Sequence, residues 1–162
     1  MNVAGDGMFS ASIADFVGKV AAQNTQVCRK TLIDVGTAII EATPVDTGVT
    51  RNNWLPSTGS PAGGTREIAD EEGAASKSEI KVVANGWKPE REDAFLTNNS
   101  IVAVVLEYGL YPNPPIRGTY IPRGKSKHGF MGPQYHKFSA GGFSTQAKGG
   151  MVGLTIAKKK GG

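Results

Sequence analysis

The sequence has a single cysteine, two histidines and no acidic residue after Glu107 in 162 positions. One cysteine, Cys28, excludes an internal disulfide and suits a reducing compartment, so packing must hold the fold. No apolar run approaches the roughly 18 residues of a membrane span, and no membrane partner is expected. The opening residues MNVAGDGMFSAS carry no basic segment followed by an apolar one, so a secretory signal is not expected. Signatures of chemistry are equally sparse. The phosphate-cradling pattern G-x-x-x-x-G-K-[ST] and the dinucleotide pattern GxGxxG are both missing. His128 and His136 stand in a stretch without cysteine or carboxylate, which leaves a zinc ion short of ligands. Asp46-Thr47-Gly48 has the letters of an aspartic-protease half-site but not its flanking strands or its second carboxylate. The expectation is no enzyme, no cofactor and no metal.

What is plentiful is glycine, 22 residues, with 9 prolines and a hydrophobic share of 39%. That mixture points to one domain over residues 1–162 with long irregular segments. Charge is divided unevenly. All fourteen acids lie in residues 1–107, whereas residues 108–162 hold nine basic residues and none. A solvated tail and a contact with nucleic acid or an acidic protein surface both fit that asymmetry.

Apolar residues Ile13, Phe16, Val17, Val20, Val27, Val35, Ala38 and Ala42 recur at three- and four-residue steps. They predict a long helix over about 10–42 with that stripe on the core, and Cys28 as a small buried hydrophobe at its edge. Pro44 stops it, because the residue before proline is pushed out of the α region. A hinge loop over 43–54 follows, with Asp46 and Gly48 building a turn through amide bonds to the Asp46 carboxylate. Trp54 pins the returning chain to the core. Residues 55–79 read as a flexible loop, and residues 80–109 as a sheet core with strands at EIKVVAN (79–85) and AFLTN (94–98). IVAVVLEYG is ambiguous by periodicity, although its β-branched residues favour a strand. Residues 110–142 read as a basic Pro/Gly-rich arm, with a hairpin at IRGTYIPRGK, then a C-terminal element at 143–157 and a basic tail at 158–162. The fold class is α+β: a long N-terminal helix packed on a small antiparallel sheet, with extended arms.

Three separated motifs then converge on one resemblance. The long helix ending in TPVDTG with Arg51 and Trp54 behind it, the stretch TNNSIVAVVLEYG, and FSTQAKGGMVGLTIA resemble a family of tailed-phage tail-component proteins. That family includes tail-completion and neck proteins of lambda-like phages. The likeness covers roughly residues 10–109 and 143–157. It implies an α+β fold, no catalysis, a short helix at IVAVVLE, and a place in the virion at the head–tail junction or top of the tail. The implied partners are copies of itself in a six-fold ring, head-completion or connector proteins, tail terminator or tail-tube proteins, and transiently passing double-stranded DNA. Assembly would occur in the host cytoplasm. Two departures stand out: about 33 residues, Leu110 to Gly142, separate Glu-Tyr-Gly from Ser-x-Gln, and the chain ends soon after Met-Val, where many relatives continue into a helix.

On that reading Arg51, Glu107, Tyr108, Tyr111, Tyr120, Gln146 and Met151 are expected at subunit interfaces, with Arg51 reaching Glu107 or a carboxylate of the next subunit. Arg117, Arg123, Lys125, Lys127 and Lys137 are expected to meet DNA in the lumen or an acidic partner. A tail terminator or another minor tail or capsid protein is the alternative. A non-enzymatic nucleic-acid-binding module using the basic C-terminal third comes after it.

Overall fold

The N-terminal helix begins earlier than expected and runs unbroken through Gly18 and Gly36. The structure, a computed structural model, describes residues 5–111 and 142–161. The expected hairpin at 116–125, both histidines, and Tyr120, Arg117, Arg123, Lys125, Lys127 and Lys137 lie outside those residues. Helix α1 spans Gly5–Ala42, 38 residues, or roughly 57 Å at 1.5 Å per residue. It ends two residues before Pro44, as proline requires.

Its two halves have different surroundings. Ile39 and Ile40 are buried, and Leu32, Ile33 and Val35 pack against the same cluster. Every residue from Phe9 to Asn24 is exposed. Ile13, Phe16, Val17, Val20 and Val27, expected in the core, are therefore on the surface, with Phe16 67% and Val27 62% exposed. The physical reason is geometric. Among the described residues the rest of the fold gathers on the C-terminal half of α1, on the face carrying Leu32, Gly36, Ile39, Ile40 and Thr43.

Residues 79–85 form a helix, not the expected strand. Helix α3 covers Ala74–Gly86 and buries Ser76, Ile80 and Ala84, a spacing of four that one face of a helix satisfies. Val82, read as alternating strand, is exposed. Helix α3 packs closely on α1: a Cβ on Gly36 would stand 2.7 Å from Ile80 Cδ1.

The sheet has two strands, β1 (Trp54–Thr58) and β2 (Ala94–Asn98). They pair antiparallel, from Trp54 opposite Asn98 to Thr58 opposite Ala94. Strand β1 begins inside the segment expected to be a hinge and continues into the one expected to be a loop. Pro56 is tolerated there because a two-stranded sheet has only edge strands. The short helix α2 (Val49–Asn52) precedes β1. Helix α4 (Ile101–Tyr108) follows β2, as the resemblance implied and propensity alone did not. The last piece, α5 (Val152–Lys160), is also a helix, and it packs against α1.

The core is the cluster of Ile39, Ile40, Trp54, Ile80, Ala103, Leu106, Ala147 and Met151. The molecule is thus α+β, a long helix on a small antiparallel sheet. No helix among the described residues is long and apolar enough to cross a membrane.

Candidate functional site where three motifs meet

The loop after α1 is built from its own backbone outward. The buried Thr43 hydroxyl donates to the Ile39 carbonyl at 2.9 Å and accepts from Trp54 Nε1 at 2.7 Å. Trp54 thereby fastens the start of β1 to the end of α1, as expected. Gly48 caps α2 with φ 81°, and a Cβ there would fall 2.5 Å from the backbone at Asp70 and Glu71. Glycine is required twice over, by conformation and by space. The turn differs from expectation in its cap. The Val49 amide, which follows left-handed Gly48, reaches the Thr47 hydroxyl at 3.4 Å, while Asp46 is exposed.

Arg51 does not pair with Glu107. Its guanidinium donates to the carbonyls of Thr43 (2.7 Å), Glu41 (3.2 Å) and Glu71 (2.6 Å). The first two lie at the C-terminus of α1, whose last carbonyls lack helical partners and carry the negative end of the helix dipole. Arg51 is therefore the C-terminal cap of α1 and ties the backbone at Glu71 to it.

Glu107 is committed elsewhere for the same kind of reason. Its Oε2 accepts from the amides of Met151 (2.7 Å) and Val152 (2.8 Å), and Oε1 from Gly153 (3.0 Å). Those are orphan donors at the start of α5, where a carboxylate is favoured. Gly150, at φ 94°, lets the chain pass close: a Cβ there would meet the Glu107 carbonyl at 2.7 Å. Met151 is 1% exposed and belongs to the core, so its expected interface place is corrected. Gln146 is exposed and accepts from the Val45 amide at 3.3 Å. Tyr108 is exposed, and Tyr111 bridges to Gly142 and packs on the core.

All three motifs therefore meet. Between the 44–50 loop and α4 they leave a cleft of about 440 Å³. Pro44, Val45, Val49, Ile101, Val102 and Val105 contribute to its largely apolar wall, and Asp46, Ser144 and Gln146 are polar members of the lining. Such a wall suits an apolar side chain or helix face better than a polar substrate. Among the described residues no group of three His, Cys, Asp or Glu side chains is placed to hold a metal.

Sequence reasoning missed the asparagines. Residues 59–73 lack regular structure, yet Asn52 donates to the Ile68 carbonyl, and Asn53 both donates to the Arg66 carbonyl and accepts from its amide. Asn99 holds the carbonyls of Ala62 and Gly64. The doublets Asn52-Asn53 and Asn98-Asn99 were the available signal, since amides of this kind satisfy irregular backbone. At the end of that loop Asp70 Oδ2 accepts from the Ala75 amide at 2.9 Å and serves as the side-chain cap of α3. That bond, with weaker ones from Ala74, Gly73 and Glu72, lowers the Asp70 pKa.

Past the motif junction, two charged features stand on α1 and α5. Lys30 donates to Asp34, and this bond, with Lys159 of α5 nearby, lowers the Asp34 pKa. Lys158, Lys159 and Lys160 fill the last turn of α5, where the dipole favours cations. No family model, curated protein or solved structure matches the chain.

Proposed function

We propose that this chain is a structural subunit of a tailed bacteriophage virion, a tail-completion or neck protein forming a ring at the head–tail junction. The observation that supports this reading is the meeting of the three motifs that carry the resemblance. Val45 and Gln146 bond across 101 positions of sequence, and Glu107 and Met151 across 44. The letters shared with the family are thus the ones that close this fold: a turn ending the long helix, a carboxylate starting the last one. Among the described residues two apolar surfaces stand exposed, the cleft beside the junction and the outer half of α1 away from it, and exposed apolar area of this kind is what assembly subunits bury against neighbours. The basic residues of 108–162 would face passing DNA or an acidic partner, with weak, salt-sensitive affinity.

The test is an amber mutation in the coding gene of the phage that carries it. Grown without suppression, it is expected to yield filled heads and complete tails that do not join, and expression from a plasmid is expected to restore plaques. Gold-labelled antibody should mark the junction in intact particles. Normal infectious yield without the protein, or label elsewhere on the particle, overturns the assignment.

A further inference from the structure

The exposed half of α1 has an order of its own. Taking Ile13, Val20 and Val27 as the first position of a seven-residue repeat puts Phe9, Phe16 and Gln23 at the fourth. These are the a and d positions of a coiled-coil seam, with β-branched residues at every a site. The five apolar members are all exposed, and Phe9 at 69% most of all. At roughly 100° per residue, this seam lies about 150° around α1 from the face that enters the core. A helix needing only one support would carry one apolar face; α1 carries two, on opposite sides and in different halves.

The seam also ends definitively. Its next d and a positions are Lys30 and Asp34, which pair with each other on the same surface. From Phe9 to Val27 the only charges are Asp15 and Lys19, themselves paired at 2.8 Å. That neutrality decides between occupants. A membrane-surface helix would flank its apolar face with several basic residues, and an acidic or basic partner would call for opposite charge. A seven-residue repeat instead matches an identical helix, since knobs and holes recur in the same register on both.

We propose that residues 9–27 of α1 form a coiled coil with the same stretch of another copy of this chain. The seam spans about 28 Å, under three full heptads, so the pairing is weak and concentration-dependent. Gln23 at a d position lowers its strength and fixes its register, as buried polar residues in such seams do. The contact adds to the ring-subunit reading but does not depend on it, because the purified chain tests it without any virion.

The experiment is sedimentation equilibrium of the full chain over a wide concentration range, with amide exchange of residues 9–27 at both ends of that range. Wild type is expected to associate reversibly, with protection of 9–27 rising as it does. Phe16→Asp and Val20→Asp are each expected to raise the concentration at half-association at least tenfold. Ala22→Glu, on the opposite, exposed face, is expected to leave it unchanged. The substituted side chains are exposed on the outer half of α1, so thermal unfolding of the subunit body serves as the folding control. A chain monomeric throughout overturns the proposal, whether 9–27 is bare, covered by its own chain or reserved for a different protein or a lipid surface. Association that survives both Asp variants also overturns it, because copies would then meet elsewhere.

Discussion

Glu107 closes the start of α5 from 44 positions away, with its Oε2 2.7 Å from the amide of Met151. Glu107 and the Met151–Gly153 amides are therefore the two halves of one cap. Removing the carboxylate strands three amides at the positive end of a helix dipole. Glu107→Ala should cost about 1–2 kcal/mol. Glu107→Gln, which keeps one acceptor oxygen but no charge, should cost less. For a chain of this size that cost lowers the melting temperature by roughly 2–4 °C per kcal/mol, and urea unfolding of the two variants checks both the size and the order.

Arg51 is a cap, and Lys should not replace it. One planar guanidinium holds the carbonyls of Glu41, Thr43 and Glu71 at fixed angles, which a single ammonium cannot reproduce. Arg51→Lys is expected to lose about 1–3 kcal/mol through the charged hydrogen bonds it abandons. Glu107→Gln combined with Arg51→Lys should be additive, since the two side chains share no bond. A double-mutant cycle in urea checks this, and a coupling well above about 0.5 kcal/mol would restore a direct Arg51–Glu107 link.

The features legible in the sequence were those with local causes. Pro44 ended α1, AFLTN was a strand, and Trp54 returned to the core through Thr43. What failed depended on tertiary choice. EIKVVAN alternates like a strand, but the helix starts five residues earlier at Ala74, under the cap of Asp70, and its core contacts are Ser76, Ile80 and Ala84. Residues 55–58 fell in the expected flexible loop, yet they form an edge strand, which tolerates Pro56. The stripe of α1 had the right period and the wrong destination: periodicity reports that a face is apolar, not what lies against it. Arg51 and Glu107 were expected at subunit interfaces from the resemblance, with Glu107 one candidate partner for Arg51, when orphan backbone groups at two helix ends are what they hold.

Two glycines in the same helix–loop segment should respond in opposite directions. Gly48→Ala forces a left-handed φ on alanine and drives its Cβ to 2.5 Å from the Asp70 and Glu71 backbone. The conformational strain alone is about 1–2 kcal/mol, and the collision adds to it. Gly18 sits in the exposed half of α1 with nothing within 4 Å of an added Cβ. Gly18→Ala should therefore stabilise α1 by about 0.5–1 kcal/mol. Helicity by circular dichroism should rise for Gly18→Ala, and Gly48→Ala should shift the whole cooperative transition down.

Acid should weaken the cap of α3 in a predictable window. The Ala75 amide bond lowers the Asp70 pKa below its ordinary value, so the folded state holds its charged form more tightly than the unfolded chain does. The stabilisation is then fully present above the unfolded carboxylate value of about 3.9 and is lost as pH falls through the lower folded value. Asp70→Asn should accordingly be less stable than wild type at neutral pH, with the gap narrowing below about pH 4. Asp34, also lowered, by its bond from Lys30, bends both curves in the same sense and cancels in the difference. Urea midpoints of the pair from neutral pH down to about 3 make the comparison. A gap that widens in acid would mean that the Asp70 carboxylate is not what holds Ala75.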